Sequence, residues 1–298
     1  TCKHCYSISA DKNFPGELST DEVFAVMEDL KQFHVPVLIL SGGEPLLRPD
    51  IFDISRRAKE MGFYVGLSSN GTLITDKNID AIQQIGYDYV GVSLDGIKAT
   101  HDKFRRKEGA FAESLNGIRL CRDADIKIGV RFTLTQDNAH DLPALLDLVD
   151  AEGISKFYLS HLNYAGRGNK NRAHDAFLET TRNAMDLLFE RCWAGTASGR
   201  EVEYVTGNND ADGVYLLFWV RQNFPHLEEH MRIKLAQWGG NSSGVNVANI
   251  DNLGVVHPDT FWWHYPLGNV KDRPFSEIWQ DINDPLMAGL KAQPRHIK

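Results

Sequence analysis

Val37-Leu38-Ile39-Leu40-Ser41-Gly42-Gly43-Glu44-Pro45 is a short apolar run closed by a polar turn with paired glycines. Four apolar residues bounded by turn signals read as a buried strand, and the same pattern returns downstream. Strands over 64–68, 89–93, 127–133 and 157–160 follow, and most run into polar clusters: Ser69-Asn70-Gly71, Leu94-Asp95-Gly96 and His161. Between them lie segments with apolar residues at helical spacing, over 20–31, 49–61, 75–85, 110–123 and 142–151. In the first of these, Thr20 or Asp21 supplies the cap and Val23, Met27 and Leu30 the apolar face. Alternation of this kind implies parallel strands joined by right-handed crossovers. Ligands in such folds gather past the strand C-termini. Clusters at four strand ends favour a curved sheet whose loops converge, a partial or full barrel, over an open doubly wound sheet.

The chain has 298 residues, 42% hydrophobic and 24% charged, the balance of an ordinary globular protein. No apolar run reaches the length of a membrane span, and no basic segment followed by an apolar one opens the chain, so a cytoplasmic location is expected. A net charge of −8 argues against nucleic acid as a partner. After Arg172 the texture changes: a long helix over 173–193, a break over 194–200, a short strand over 202–205 and two further helices. A glycine-rich stretch over 239–244, a hairpin over 249–256 and a closing helix over 274–281 complete the chain. Two domains are expected, over 1–195 and 196–298.

The four cysteines, Cys2, Cys5, Cys121 and Cys192, do not make a disulfide scaffold. Cys121 and Cys192 fall in expected helices and read as core thiols. Cys2-Lys3-His4-Cys5 is a C-x-x-C, a spacing shared by zinc sites, redox dithiols and iron–sulfur clusters. A redox dithiol should open a helix, whereas the following residues read as a polar loop. Structural zinc needs two further ligands, and no second C-x-x-C supplies them. At Gly42-Gly43 the backbone can approach a small molecule closely, and Glu44 adds an acceptor suited to an ammonium group. A tight turn with a helix-capping acid would look the same.

Together, the N-terminal cysteine loop and the Gly42-Gly43-Glu44-Pro45 turn resemble the radical S-adenosylmethionine (SAM) superfamily. Ser69-Asn70-Gly71-Thr72 and Ser93-Leu94-Asp95-Gly96, with His101-Asp102 and Arg105-Arg106, resemble its SPASM/Twitch subgroup. The resemblance implies a partial (β/α)6 TIM-like barrel with a small C-terminal α+β extension. It also implies a 4Fe–4S cluster on Cys2 and Cys5, whose third cysteine and preceding strand would lie before Thr1. SAM would meet His4, Gly42, Gly43, Glu44, Asn70, Ser93, Arg131 and Leu162. Asn249-Ile250-Asp251, Gly254, His257-Pro258 and Gly268-Asn269 resemble the extension's hairpin, with Asp259 where many relatives have cysteine. Further cluster cysteines, for a second 4Fe–4S centre in the intact protein, would lie beyond Lys298.

The stretches 157–164, 166–169, 206–213, 238–244 and 257–263 resemble members of the family that act in heme d1 biosynthesis. The implied reaction uses a 5′-deoxyadenosyl radical to remove propionate side chains from didecarboxysiroheme, with electrons from a flavodoxin or ferredoxin. His161, Tyr164, Arg167, Lys170, Arg172 and His257 are the expected contacts to this flat, anionic tetrapyrrole. Two other readings remain open: a peptide-modifying or sulfatase-maturing SPASM enzyme, and a non-catalytic zinc-binding scaffold.

Overall fold

The computed structural model describes residues 2–7 and 14–292. The chain falls into two compact units that interleave along the sequence. One comprises Thr1–Tyr6 with Leu67–Asn241, the other Ser7–Gly66 with Ser242–Lys298. The elements in chain order are α1 (Thr20–Gln32), β1 (Val37–Leu40), α2 (Ile51–Glu60), β2 (Tyr64–Ser69), α3 (Ile79–Ile85), β3 (Tyr89–Ser93) and α4 (Ala99–Arg105). Next come α5 (Ala110–Asp123), β4 (Ile128–Leu134), α6 (Leu142–Ala151), β5 (Lys156–His161), α7 (Gly166–Lys170), α8 (Leu178–Ala197) and β6 (Glu203–Gly207). Then follow α9 (Ala211–Asn223), α10 (Glu228–Trp238), β7 (Asn249–Ile250), β8 (Val255–His257), β9 (Gly268–Asn269), α11 (Phe275–Gln280) and α12 (Pro285–Lys291).

The strands β1 to β6 form one six-stranded sheet in chain order, and the pairs β3–β4, β4–β5 and β5–β6 are parallel. Sequential order with crossover helices is the topology of a partial (β/α)6 barrel, as the family resemblance implies. Val90, Val92, Val130, Phe132, Phe157 and Leu159 are buried at alternate positions of their strands. The Phe132 and Phe157 rings lie 6.3 Å apart, centroid to centroid. Ser93, Arg131, Tyr158 and Ser160, which alternate with these buried residues, occupy the opposite face and are only half buried.

Two short helices, α4 and α7, escape periodicity because neither spans two turns. The helix expected over 173–193 instead runs Leu178–Ala197. Its start is delayed because Gln136 binds the preceding backbone: the Gln136 N–H donates to the His174 carbonyl (3.0 Å) and its side-chain amide to the Asp175 carbonyl (2.7 Å). Among the described residues, no helix is long and apolar enough to cross a membrane.

In the second unit, α1 opens on a capping box: the Glu22 N–H donates to Ser19 Oγ, and the Ser19 N–H to the Glu22 carboxylate at 2.7 Å. Asp29 of α1 accepts hydrogen bonds from the Ser276 N–H (2.9 Å) and hydroxyl (2.6 Å), tying α1 to α11. The strands β7, β8 and β9 form an antiparallel sheet. His257 is buried there, its Nε2 3.3 Å from an Asp251 oxygen and its Nδ1 3.1 Å from the Tyr265 carbonyl. Burial alone would push this ring toward neutrality, but the bonds to Asp251 and the Tyr265 carbonyl prevail and raise its pKa. Burial likewise opposes the Asp251 charge, yet His257 and the Val255 and Leu253 N–H groups hold its pKa below the ordinary carboxylate value.

The sign of the pH dependence follows. The His257 contribution is complete below its unfolded value of about 6.5 and is lost as pH rises through its raised folded value. The Asp251 contribution is complete above about 3.9 and is lost as pH falls through its lowered folded value. Asp251→Asn should therefore depress the thermal unfolding midpoint most between about pH 4 and pH 6.5. Calorimetry should show the gap to the unsubstituted chain narrowing toward pH 9, and a gap of constant size would exclude the pair as its source.

Candidate active site

The register of the parallel sheet builds the first row of polar side chains. Ser93 pairs with Arg131, Arg131 with Tyr158, and Tyr158 with Val205, so these positions line up across four strands. One step nearer the C-terminal ends, Thr133 pairs with Ser160, and their hydroxyls are 3.2 Å apart. Gly91 makes room for Arg131: a Cβ there would lie 2.9 Å from the guanidinium Nε and 2.9 Å from the Tyr89 ring. Arg131 donates to the Ser68 hydroxyl and lies over the Tyr158 ring at 5.8 Å, while its Nε is buried without a hydrogen-bond partner. A half-buried guanidinium whose buried Nε donor is unused is suited to an anion.

Beside this row lies a charged cluster around the cysteine loop. Asp95, just past β3, is buried and pairs with Arg105 from the end of α4. Arg105 Nη1 also donates to Cys2 Sγ at 3.4 Å. His4 Nε2 is 3.7 Å from Asp95, and the Asp95 N–H donates to His101 Nδ1 at 3.0 Å. Burial outweighs the pull of Asp95 on both histidines, lowering each pKa to about 4, so both rings are neutral near pH 7. The same neighbourhood holds Asp95 below the ordinary carboxylate range despite burial, chiefly through Arg105.

The loop carrying Cys2 and Cys5 is clamped from the far end of the sheet. The Arg167 N–H donates to the Cys5 carbonyl (2.9 Å) and its Nε to the Cys2 carbonyl (2.7 Å), while Asn171 donates to the Lys3 carbonyl (2.8 Å). Gly166 has a φ of +55°, and a Cβ on it would lie 2.4 Å from the Tyr6 carbonyl oxygen. A Cβ on Gly168 would lie 3.2 Å from the His4 carbonyl oxygen. Helix α7 is thus a backbone cradle for the cysteine loop.

The other expected ligand residues divide between the units. In the first unit, Asn70 sits in an Asx turn, its Oδ1 accepting from the Thr72 N–H at 2.8 Å, and Leu162 is buried. In the second unit, Gly42 and Gly43 are exposed, and Glu44 caps a short 3-10 turn over Pro45–Leu47 through the Leu46 N–H (3.2 Å). Within the first unit, the expected substrate residues do not form one cluster. Tyr164, Arg172 and Asp175 group together: the Tyr164 hydroxyl donates to Asp175 (2.5 Å), and Arg172 lies 4.5 Å from the Tyr164 ring centre. Lys170 is exposed nearby. Arg167 is engaged with the cysteine loop. Strand alternation sends His161 to the face opposite Ser160, where its Nε2 lies 2.9 Å from both oxygens of Asp212 in the first turn of α9. His257 lies in the second unit with both ring nitrogens engaged.

The donor chemistry fits part of an iron–sulfur site. Two half-buried thiols share one loop, and a guanidinium faces the sulfur of one of them. Among the described residues, no group of three or more His, Cys, Asp or Glu side chains is arranged for a metal ion, so this loop supplies two ligands and not a complete set. Among the described residues, four side chains for closed zinc coordination are not brought together. In the second unit the position after His257-Pro258 is Asp259, which accepts from the Ser243 hydroxyl at 2.6 Å, and no thiol accompanies it.

The sequence reading gives no role to Arg105, Asn171, Asp212 or the α7 glycines, because each acts through a contact distant in the chain. The cradle is open to a direct test. Gly166→Ala should cost on the order of 1–3 kcal/mol locally and reduce the iron retained per chain severalfold after anaerobic reconstitution. Gly199→Ala, at a φ of +74° with nothing within 4 Å of the added Cβ, serves as the control for backbone strain alone. Equal iron content in both variants would remove the cradle from the account.

A profile of the radical SAM superfamily matches residues 1–149. Pre-heme d1 synthase of Dinoroseobacter shibae is 52% identical over 299 residues, covering 100% of this chain and 74% of that protein. Fe-coproporphyrin III synthase of Methanosarcina barkeri is 43% identical over 297 residues, again covering 100% of this chain and 74% of the relative. The crystal structure of Streptococcus suis SuiB bound to S-adenosylmethionine superposes with a TM-score of 0.73 at 15% identity. It covers 98% of this chain, which in turn spans only 64% of that structure, and at this identity the likeness speaks for the fold. With the profile over half its length and two relatives above 40% identity over all of it, the chain belongs to the radical SAM superfamily, enzymes that use S-adenosylmethionine.

Proposed function

We propose that this chain is the SAM-cleaving core of an enzyme of heme d1 biosynthesis that removes propionate side chains from didecarboxysiroheme. The observation that carries this reading is the 52% identity to pre-heme d1 synthase, which extends over the full chain and beyond the part matched by the superfamily profile. Family membership implies a 4Fe–4S cluster and SAM as the cofactors, and Cys2 and Cys5 are the residues assigned to iron. When bound, the cluster supplies one electron to the SAM sulfonium, yielding a 5′-deoxyadenosyl radical.

The chain's own residues bind and orient. Arg131, with its unused buried Nε, is assigned to the SAM carboxylate. Gly42, Gly43 and Glu44 are assigned to its ammonium group, Asn70 and Ser93 to the ribose and methionine portions, and His4 and Leu162 to the remaining contacts. On the substrate side, Tyr164 and Arg172 already pack as a ring–guanidinium pair, suited to stacking on a flat macrocycle and pairing with its carboxylates. Lys170 adds a second cation on the same segment. His161, Arg167 and His257 remain candidates for substrate contact, but each is already engaged: with Asp212, with the cysteine loop, and with Asp251 and Tyr265. The radical chemistry requires a reductant, for which a flavodoxin or ferredoxin in the cytoplasm is proposed, and the intact protein is expected to carry a second cluster.

The 43% identity to Fe-coproporphyrin III synthase supports a second reading, with a different tetrapyrrole as product. The two separate in one experiment: the intact protein, reconstituted anaerobically, is incubated with SAM, reductant and didecarboxysiroheme, and the mass of the tetrapyrrole product is read. Mass spectrometry should show 5′-deoxyadenosine rising on addition of didecarboxysiroheme, together with loss of propionate mass. Formation of deoxyadenosine that ignores didecarboxysiroheme would remove the substrate assignment. Glu44→Ala should weaken SAM binding by about tenfold or more, as expected for a lost hydrogen bond to a charged group, and equilibrium dialysis reads it directly.

A further inference from the structure

Arg105 stands between the cysteine loop and the buried carboxylate of Asp95, and it touches both. One guanidinium nitrogen pairs with Asp95 and the other donates to Cys2 Sγ at 3.4 Å. Asp95 is itself fixed on three sides. Its Oδ1 accepts from the Thr133 N–H (2.9 Å), its carbonyl from the Asn138 side chain (3.1 Å), and its N–H donates to His101 (3.0 Å). The side chains of Arg105 and Asp95 are 13% and 1% exposed, so water screens the pair poorly. A second nearby cation, Arg167, is aimed at the Cys2 carbonyl and not at its sulfur. What faces the Cys2 sulfur is therefore the positive end of a rigid, buried ion pair.

We propose that the Asp95–Arg105 pair sets the reduction potential of the cluster held at Cys2, with Arg105 favouring the reduced state and Asp95 limiting how far. This rests on the assignment of Cys2 as a cluster ligand. Reduction adds one electron, and part of that charge falls on the ligating sulfurs. An N–H donor carrying positive charge at hydrogen-bond distance from such a sulfur stabilises the reduced form more than the oxidised form. The carboxylate behind the guanidinium offsets part of that effect. The two residues thus act in opposite directions on one quantity, which a purely structural ion pair would not do.

The test is the midpoint potential of the reconstituted intact protein, read from the electron paramagnetic resonance signal of the reduced cluster during a redox titration without SAM. Arg105→Gln should disfavour reduction by about tenfold or more, a shift of about 59 mV to more negative potential per tenfold for one electron. Asp95→Asn should move the midpoint the other way, because Arg105 then faces the sulfur without its counter-ion. Arg105→Lys, which keeps the charge, should lie between Arg105→Gln and the unsubstituted protein. Should Arg105→Gln fail to hold iron, Asp95→Asn still decides, since a midpoint at or below the unsubstituted value overturns the proposal. Shifts of the same sign in Arg105→Gln and Asp95→Asn also overturn it. Absence of any cluster in the unsubstituted protein would instead remove Cys2 as a ligand, and the proposal with it.

Discussion

A parallel strand has two faces, and the next residue always turns to the other one. That constraint organises the first unit. Val92, Val130, Phe132, Phe157 and Leu159 occupy one face and form the apolar layer, which leaves Ser93, Arg131, Tyr158 and Ser160 no choice but the other. A slip of one residue in the register would bury Arg131 in the apolar layer and bring Phe132 to the polar side. The hydrophobic layer therefore fixes the position of the polar row, and the stability of the sheet and the placement of these polar side chains have a single origin.

Much of this is legible in the residues themselves. Strand ends announce themselves where an apolar run meets Ser69-Asn70-Gly71 or Leu94-Asp95-Gly96, and all five expected strands of the first series are present. The six-stranded sheet also takes in Glu203–Gly207, whose pairing with β5 depends on a contact that no local pattern encodes. The same limit hides the cysteine-loop clamp. Arg167 reads locally as one cation of a basic segment, whereas its bonds run to carbonyls more than 160 residues away in the chain. His161 shows a different limit: its position at a strand end is readable, but the partner that claims it, Asp212, is known only once α9 is placed.

The charge around the cysteine loop follows a related economy. Burial keeps His4 and His101 neutral, so the ion pair of Asp95 and Arg105 dominates the local field and its direction is fixed by backbone hydrogen bonds. In the second unit the same physics gives the opposite result. His257 is also buried, but the bonds to Asp251 and the Tyr265 carbonyl overcome desolvation and raise its pKa. His4 and His101 on one side and His257 on the other show that the kind of partner at hydrogen-bond distance, rather than burial as such, sets the direction of the shift.

The cradle made by Gly166 and Gly168 joins two tasks on one stretch of backbone. The carbonyls of the cysteine loop rest where side chains would otherwise stand, and the same stretch continues into Lys170 and Arg172. Insertions there would dislodge the two thiols of the cysteine loop before any new substrate could be accommodated. Diversification at this edge of the sheet is consequently confined to exchanging side chains on a backbone of fixed length.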